Sequence, residues 1–390
     1  MYDTVVIKSP EIDQETVQKI MTFCRLYEGV DIFTGELLYR FTSGDLEGSY
    51  DYRIRIKVDN TEWIKGDSPV PKRVETYWHV VVECSLHKLL MNHNCYGGPA
   101  DIKRSIAYLV RFLEDVMYVK LPEYKEWEVK RLDVAKIYYF KDKNICKKIV
   151  GNLRNSYYTR RKPIIYDTSV MFSGSTTTVK IYWKGPEFEK HDYKRIKKYI
   201  LREVDRSWNK DNCDLLQHKL AMLQKHFDKV LEKAYRIIRY ECEIKARKLK
   251  EAFESDTVLV KSLSDEKLHE IAEIELFKLM KEDDNMDIVR RSDLVLERLH
   301  QIYATSQANA LYSTWTKLVQ FGEQTTKETI SRATFYRHKK LLIEAGVSWF
   351  CSVVNLKPFS IVPEDFSFTS ERYVLADVDP EVIEKLGSVA

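Results

Sequence analysis

Apolar and polar residues alternate along the first half of the chain with a period that changes from segment to segment. Val5 to Ile7 is a short apolar run closed by Ser9-Pro10. From Tyr52 to Val58 the order is strict: Tyr52, Ile54, Ile56 and Val58 fall on one side, Arg53, Arg55 and Lys57 on the other. Period two describes a half-buried strand, and the wet side of this one is wholly basic. Tyr77 to Leu86 and Trp127 to Phe140 also read as strands. Between them, Ala100 to Val116 sets Ile106, Leu109, Val110 and Leu113 at helical spacing. Asp142 to Leu153 reads as a short helix. Thr168 to Trp183 is rich in Ser, Thr and Val with Gly174 near its middle, the pattern of a hairpin.

The period then lengthens. Between Tyr193 and Tyr235, Leu216, Leu220, Leu223, Phe227, Val230 and Ala234 recur at steps of three and four, which predicts one long charged helix or two. It shortens again where Ile238, Tyr240, Cys242 and Ile244 alternate with Arg239, Glu241, Glu243 and Lys245. Beyond a loose boundary near Ser255 the pattern is helical almost to Gly346. Residues 348–390, with Pro358, Pro363 and Pro380, read as a small appendage with β-like pieces. The expectation is a mixed α+β part over 1–255 with a helical insert at about 190–235, a helical part over 256–347, and the appendage 348–390.

Composition changes this picture little. A chain of 390 residues with 44% hydrophobic residues is long enough for two or three domains with real cores. The net charge of +4 is too small to argue for nucleic acid by itself, so local clusters must carry that argument. Seven scattered cysteines without close spacing fit a reduced interior and no zinc knuckle. No secretory leader and no apolar stretch of about 18 residues is visible, so the expectation is a soluble, cytoplasmic protein that engages no membrane.

Candidate chemistry lies on the strands. In Val179-Lys180-Ile181-Tyr182-Trp183-Lys184 the alternation puts Tyr182 with Lys180 and Lys184 at a strand end. A phenol titrates near about 10, so it needs nearby cations or a polarised phosphate to act as a nucleophile. With 24 tyrosines in the chain, a plain strand tyrosine is the simpler reading of this stretch alone. Glu83, Asp133 and Glu241 each lie on a different strand, and together they suggest an oxygen-ligand site for Mg²⁺ or Mn²⁺; ordinary strand salt bridges are the alternative. His93, in the turn Asn92-His93-Asn94-Cys95-Tyr96-Gly97-Gly98, is a candidate phosphate contact or else part of a capped loop. Tyr157-Tyr158-Thr159-Arg160-Arg161-Lys162 mixes rings and cations as single-strand binders do, or is a solvated loop. Ser331 can cap a helix that Gly346 ends, and Arg332, Tyr336, Arg337 and Lys340 line one side of it. That is the form of a recognition helix or of an amphipathic bundle helix.

Taken in order, these stretches resemble the gene II/X family of filamentous phage replication proteins and their plasmid relatives. The resemblance runs from Met1-Tyr2-Asp3-Thr4-Val5-Val6-Ile7 through Glu83-Cys84-Ser85, the His93 turn, Arg131-Leu132-Asp133 and Tyr182-Trp183-Lys184. Its longest piece is Arg239 to Lys250, and a last one spans Thr334 to Gly346. It implies an antiparallel sheet with flanking helices, related to the HUH endonucleases, followed by a mainly helical part. It also implies a rolling-circle replication initiator over 1–255 that nicks one strand at the double-strand origin. In this reading Tyr182 is the nucleophile that holds the 5′ phosphate, and a second strand transfer later recloses the displaced circle. Lys184 and Glu187 fall on the family's Tyr-x-Lys-x-x-Glu pattern. Glu83, Asp133, Glu187 and Glu241 are then the candidate ligands of Mg²⁺ or Mn²⁺. Arg131, Arg239 and Lys245 join His93, Arg160, Arg161 and Lys162 as DNA contacts. The implied partners are duplex and single-stranded origin DNA, a host helicase and polymerase in the bacterial cytoplasm, and a second copy of the chain at the origin.

Two features depart from the HUH pattern. There is no His-hydrophobe-His triplet, so the metal would be held by carboxylates. There is no second tyrosine one helical turn from Tyr182, so water or a second subunit would complete the cycle. A DNA-binding regulator or replication accessory that cuts nothing is the competing reading, with the same basic strand and C-terminal helix and the acids in salt bridges.

Overall fold

The computed structural model describes residues 1–30, 33–34, 37–47, 53–64, 72–153, 158, 161–207, 213–280 and 292–349. Its centre is a sheet of ten strands: β1 (Tyr2–Lys8), β2 (Arg25–Val30), β3 (Leu37–Glu47), β4 (Arg53–Ile64), β5 (Lys72–Ser85), β6 (Glu128–Tyr139), β7 (Pro163–Ile165), β8 (Ser169–Ser173), β9 (Thr177–Trp183) and β10 (Ile237–Lys245). The spatial order is β2-β3-β4-β5-β1-β6-β10-β9-β8-β7, and every pairing is antiparallel. The helices are α1 (Gln14–Met21), α2 (Leu86–Met91), α3 (Ile102–Met117), α4 (Lys143–Leu153), α5 (Lys184–Phe188), α6 (Lys194–Ser207), α7 (Cys213–Ala234), α8 (Ala246–Phe253), α9 (Asp265–Met280), α10 (Ser292–Ile302), α11 (Thr305–Thr329) and α12 (Arg332–Glu344).

The alternation seen in the sequence divides the sheet into two unlike faces. Val5, Ile7, Ile54, Ile56, Val82, Leu132, Val134, Ile238, Tyr240 and Ile244 are buried on one face. Ile106, Leu109 and Leu113 of α3 and Leu268, Ala272 and Leu276 of α9 share that core. Asp101 caps α3 by accepting from the Arg104 amide at 2.9 Å, so the helix begins where a short acceptor side chain can satisfy a free N–H. Truncating a buried leucine such as Leu109 to alanine would cost about 2–5 kcal/mol.

The opposite face carries charge. Antiparallel partners point the same way, so Tyr182 opposite Arg239, Lys180 opposite Glu241 and Asp133 opposite Glu243 share it. The insert α5–α7 covers only one end of this face. There Phe188, Ile196, Ile200, Phe227 and Val230 pack with Ile237, Ile137 and Tyr139.

The first core extends past Ser255. Asp265, at the start of α9, accepts a hydrogen bond from Tyr2 Oη at 2.5 Å and one from the Ile102 amide at 3.1 Å. That joins α9 to β1 and α3. The sequence pattern had put these residues with the later helices, because a charged helix without a Pro or Gly break says nothing of which surface it covers. A second core follows in α10–α12, around Leu299, Leu311, Trp315, Phe335 and Leu342. Two residues join α11 to α12, and Ser331 caps α12 by accepting from the Thr334 amide at 3.2 Å. Gly346, at φ 68°, sits just beyond its end. The appendage at 350–390 lies outside the described residues.

Candidate active site

Tyr182 stands at the end of β9, and its register partner is Arg239 in the middle of β10. Period two on β10 places Glu241 beside Arg239 on the same face. Tyr182 Oη donates to Glu241 Oε1 at 2.6 Å. Arg239 Nε donates to the same carboxylate oxygen at 2.8 Å. The other arm of the guanidinium reaches β1, where Nη2 donates to Asp3 Oδ2 at 2.8 Å, and Nη1 donates to the Asn94 carbonyl. Asp3 also accepts from Ser85 Oγ at 2.5 Å and from Asn94 Nδ2 at 3.1 Å. Thus β9, β10, β1, the end of β5 and the turn after α2 meet in one network. The left-handed backbone at Asn92, φ 62°, ends α2 and sends the chain into that turn.

The strand ends one residue after Tyr182, and Lys184 opens α5. Its ammonium is fully buried. It donates to Asn94 Oδ1 at 2.7 Å and to Glu187, one helical turn on. It lies 5.6 Å from the centre of the Tyr182 ring, the range of a cation–π contact. Gly185 is demanded by packing: a Cβ there would fall 2.6 Å from Tyr235.

Burial dominates the electrostatics. It raises the Tyr182 phenol well above its ordinary range, the negative charge of Glu241 adds to this, and Arg239 works against it. The tyrosine is therefore neutral at physiological pH and hydrogen-bonded to the Glu241 carboxyl. Burial opposes ionisation of Asp3 as well, yet Arg239 beside it holds the acid well below the usual carboxylate range. Burial likewise works against the Lys184 ammonium, but Glu187, Cys95 and Asp192 together outweigh it and the group is pushed up to about 12. Above this network opens a cleft of about 640 Å³, lined by Tyr182, Glu241, Asp3, Glu187, Lys180 and His191 among others.

Residues 1–272 match the family model for the N-terminal part of the replication-associated protein of filamentous phage, the gene II protein. The chain belongs to that family. No curated protein and no solved structure matches it. The gene II family match spans the whole sheet and runs into α9, the helix that closes the sheet's core. Every residue of the Tyr182 network lies inside it.

On the gene II family's sheet, the expected site residues separate into groups. Tyr182, Lys184, Glu187 and Glu241 meet at the cleft. Glu83 and Asp133 do not join them. They surround Arg131, which donates to Asp133 Oδ1 at 2.9 Å and Oδ2 at 2.7 Å and lies 3.4 Å from Glu83 and 3.5 Å from Glu243. The four acids expected as metal ligands are thus divided between two places, and each has a cation as its neighbour. Among the described residues no three His, Cys, Asp or Glu converge as a metal-ion site. The residues present do not fit a Mg²⁺ or Mn²⁺ centre of the kind the sequence suggested. Strand register sets Arg131 beside Glu83 and Asp133 and Arg239 beside Glu241, and the helical turn of α5 sets Lys184 beside Glu187.

The expected DNA contacts divide in the same way. Arg239 and His93 are buried and are not presented to a ligand surface; burial lowers His93 to about 3, so its ring is neutral and accepts from the Cys95 amide. Arg161 donates to Glu275 Oε2 at 2.9 Å and to Thr177 Oγ1 at 2.7 Å, which ties β9 to α9. Lys245 donates to the Gly174 carbonyl at 2.7 Å. Lys162 is exposed, and Arg160 lies outside the described residues. On α12, Arg332, Tyr336, Arg337 and Lys340 all reach the surface. Asp3 and Asn94 were not singled out as site residues. The available signal was an acid at the start of an apolar strand and a polar turn of fixed shape. Among the described residues no helix is long and apolar enough to cross a membrane.

Proposed function

We propose that the chain initiates rolling-circle replication by nicking one DNA strand at an origin, with Tyr182 as nucleophile and Glu241 as its proton acceptor. The observation that carries this is the 2.6 Å hydrogen bond from Tyr182 to Glu241 at the floor of an open cleft, in a chain of a replication-associated family. A phenol held neutral by burial needs a base in contact with it, and Glu241 has that position. The Tyr182 oxygen bonds to phosphorus as its proton moves to Glu241. The bond from phosphorus to the 3′ oxygen breaks, and the proton passes on to that oxygen. The 5′ phosphate remains on Tyr182, and the free 3′ hydroxyl primes synthesis. Reversal by a 3′ hydroxyl recloses a strand. Arg239 fixes Glu241 in place, and Lys184 sets the floor beneath the ring and counters charge gathering at phosphorus.

The exposed side of α12 would grip duplex origin DNA, with a second copy at the origin and the host helicase and polymerase as further partners. The resemblance also implies Mg²⁺ or Mn²⁺, and nicking in the presence and absence of EDTA measures that requirement directly. The deciding test uses supercoiled plasmid carrying the origin of the replicon that encodes the chain. Wild type is expected to give open circles and a 5′-phosphotyrosyl adduct, and Tyr182→Phe neither. Nicking by Tyr182→Phe at the wild-type rate would refute the assignment. Wild type that binds the origin and never cuts it would be a non-catalytic regulator instead.

A further inference from the structure

The charged face of the sheet does not end at the Tyr182 cleft. Its far end holds a second cavity of about 560 Å³ whose lining includes Phe23, Arg25, Tyr27, Asp45 and Arg55. Phe23 and Tyr27 are 39% and 47% exposed, so both rings are open to a ligand at the cavity. Arg25 is exposed and has no ion-pair partner among the described residues. Arg55 has a 62% exposed side chain and long contacts to Asp45 at 3.6 Å and Glu83 at 3.4 Å. Pairs that long and that wet are weak and are readily exchanged for a phosphate. Gly44 allows β2 and β3 to close on one another at this point, since a Cβ there would fall 2.2 Å from the Phe23 carbonyl oxygen.

Register joins this cavity to the cleft. Cross-strand partners run in one unbroken row, Asp45–Arg55–Glu83–Val6–Arg131–Lys245. Lys245 lies six residues from Arg239 along β10, so the row and Tyr182 share a face. From β9 to β3 the sheet order gives six strand spacings of about 4.8 Å each, or on the order of 29 Å. Aromatic faces beside guanidinium groups are the chemistry that holds unpaired bases and their phosphates. A duplex hides the base faces that Phe23 and Tyr27 would meet.

We propose that the cavity at Phe23, Arg25, Tyr27 and Arg55 is a second binding site for single-stranded DNA, taking the same strand that Tyr182 engages after it has crossed the charged face of the sheet. The source of that strand rests on the nicking reading above, but the binding itself is measured without chemistry.

The test is fluorescence anisotropy with labelled oligo-dT of about 4 and about 16 nucleotides, using the full chain in the Tyr182→Phe background. The longer oligonucleotide reaches both sites and the shorter only one. Tyr27→Ala is expected to weaken binding of the long oligonucleotide by about 5-fold to 150-fold, the range for loss of one stacked base. Arg25→Ala is expected to lower the slope of log affinity against log salt by about 0.7, one single-strand phosphate contact. A lysine at position 25 should restore that slope, and all three variants should melt with wild type. Unchanged affinity and salt slope in both alanine variants would overturn the proposal. So would equal effects on a duplex of the same length. Failure of plasmid nicking by wild type would count against the nicking reading and leave this binding result standing.

Discussion

Two arginines on one face of one sheet, Arg239 and Arg131, have the same chemistry and opposite fates. Each is surrounded by carboxylates on its own and neighbouring strands. Arg239 is fully buried, divided between Asp3 and Glu241, and coupled through Glu241 to Tyr182. Arg131 retains 26% exposure, and its contacts run to Asp133, Glu83 and Glu243, with no tyrosine among them. The difference comes from what lies above. The α5–α7 insert and the Asn94 turn close over the first arginine and leave the second open. Cover strengthens the hydrogen bonds beneath it, and the proposed proton transfer from Tyr182 to Glu241 would use that setting. The same residue types in the open serve as a salt-bridge cluster.

The largest effect should come from Glu241→Gln, which keeps the shape and hydrogen bonding of the acid but cannot take a proton. Nicking should fall by about 10²-fold to 10⁴-fold, measured as the initial rate of open-circle formation, while binding of the uncut strand holds. The matched change on the open side, Glu83→Gln, should alter nicking little. If both variants lose activity alike, the contrast between the two centres fails.

Stability should separate the two arginines next. Arg239→Met leaves Asp3 and Glu241 without their shared cation in a dry site, at a cost of about 3–5 kcal/mol. Arg131→Met should cost about 1 kcal/mol or less, because its most buried partner can take up a proton. Burial raises Asp133 to about 7 against the pull of Arg131. Denaturant unfolding of the two variants at neutral pH compares them directly.

A smaller, pH-dependent effect tests that explanation. Asp133 has a folded-state value above its unfolded value near 3.8. Its stabilising contribution is therefore complete below about pH 4 and is lost as pH rises through about 7. Asp133→Asn resembles the protonated acid at every pH. The variant should gain stability relative to wild type between about pH 4 and 7 and hold a constant difference above that. A difference that does not change with pH would mean that Asp133 is ionised throughout.

Much of the frame was legible in the chain. The strands at 52–58 and 238–244 showed clean alternation because one side of each is buried, those at 77–86 and 127–140 were apolar runs, and the structure places β4, β5, β6 and β10 there. The strands β2 and β3 gave no such signal. Leu26 and Tyr27 of the edge strand are consecutive and both about half exposed, so they show no alternation of buried and open sides. Tyr182, Lys184, Glu187 and Glu241, which the family resemblance singled out, meet at the cleft. Asp3 was not singled out, because its partner Arg239 lies 236 positions away and nothing local records that pairing.

The sequence by itself determined which residues alternate, which stretches are helical, and that strands such as 52–58 and 238–244 have one apolar and one charged side. Those are properties of period and side-chain chemistry, and they are local. Tertiary structure decided which arginine was covered and which acid touched Tyr182. It also decided that Glu83 and Asp133 would stand apart from Glu187 and Glu241. Those outcomes depend on strand order and register across the sheet, where one step of about 4.8 Å separates the Tyr182–Glu241 hydrogen bond from the Arg131 salt-bridge cluster.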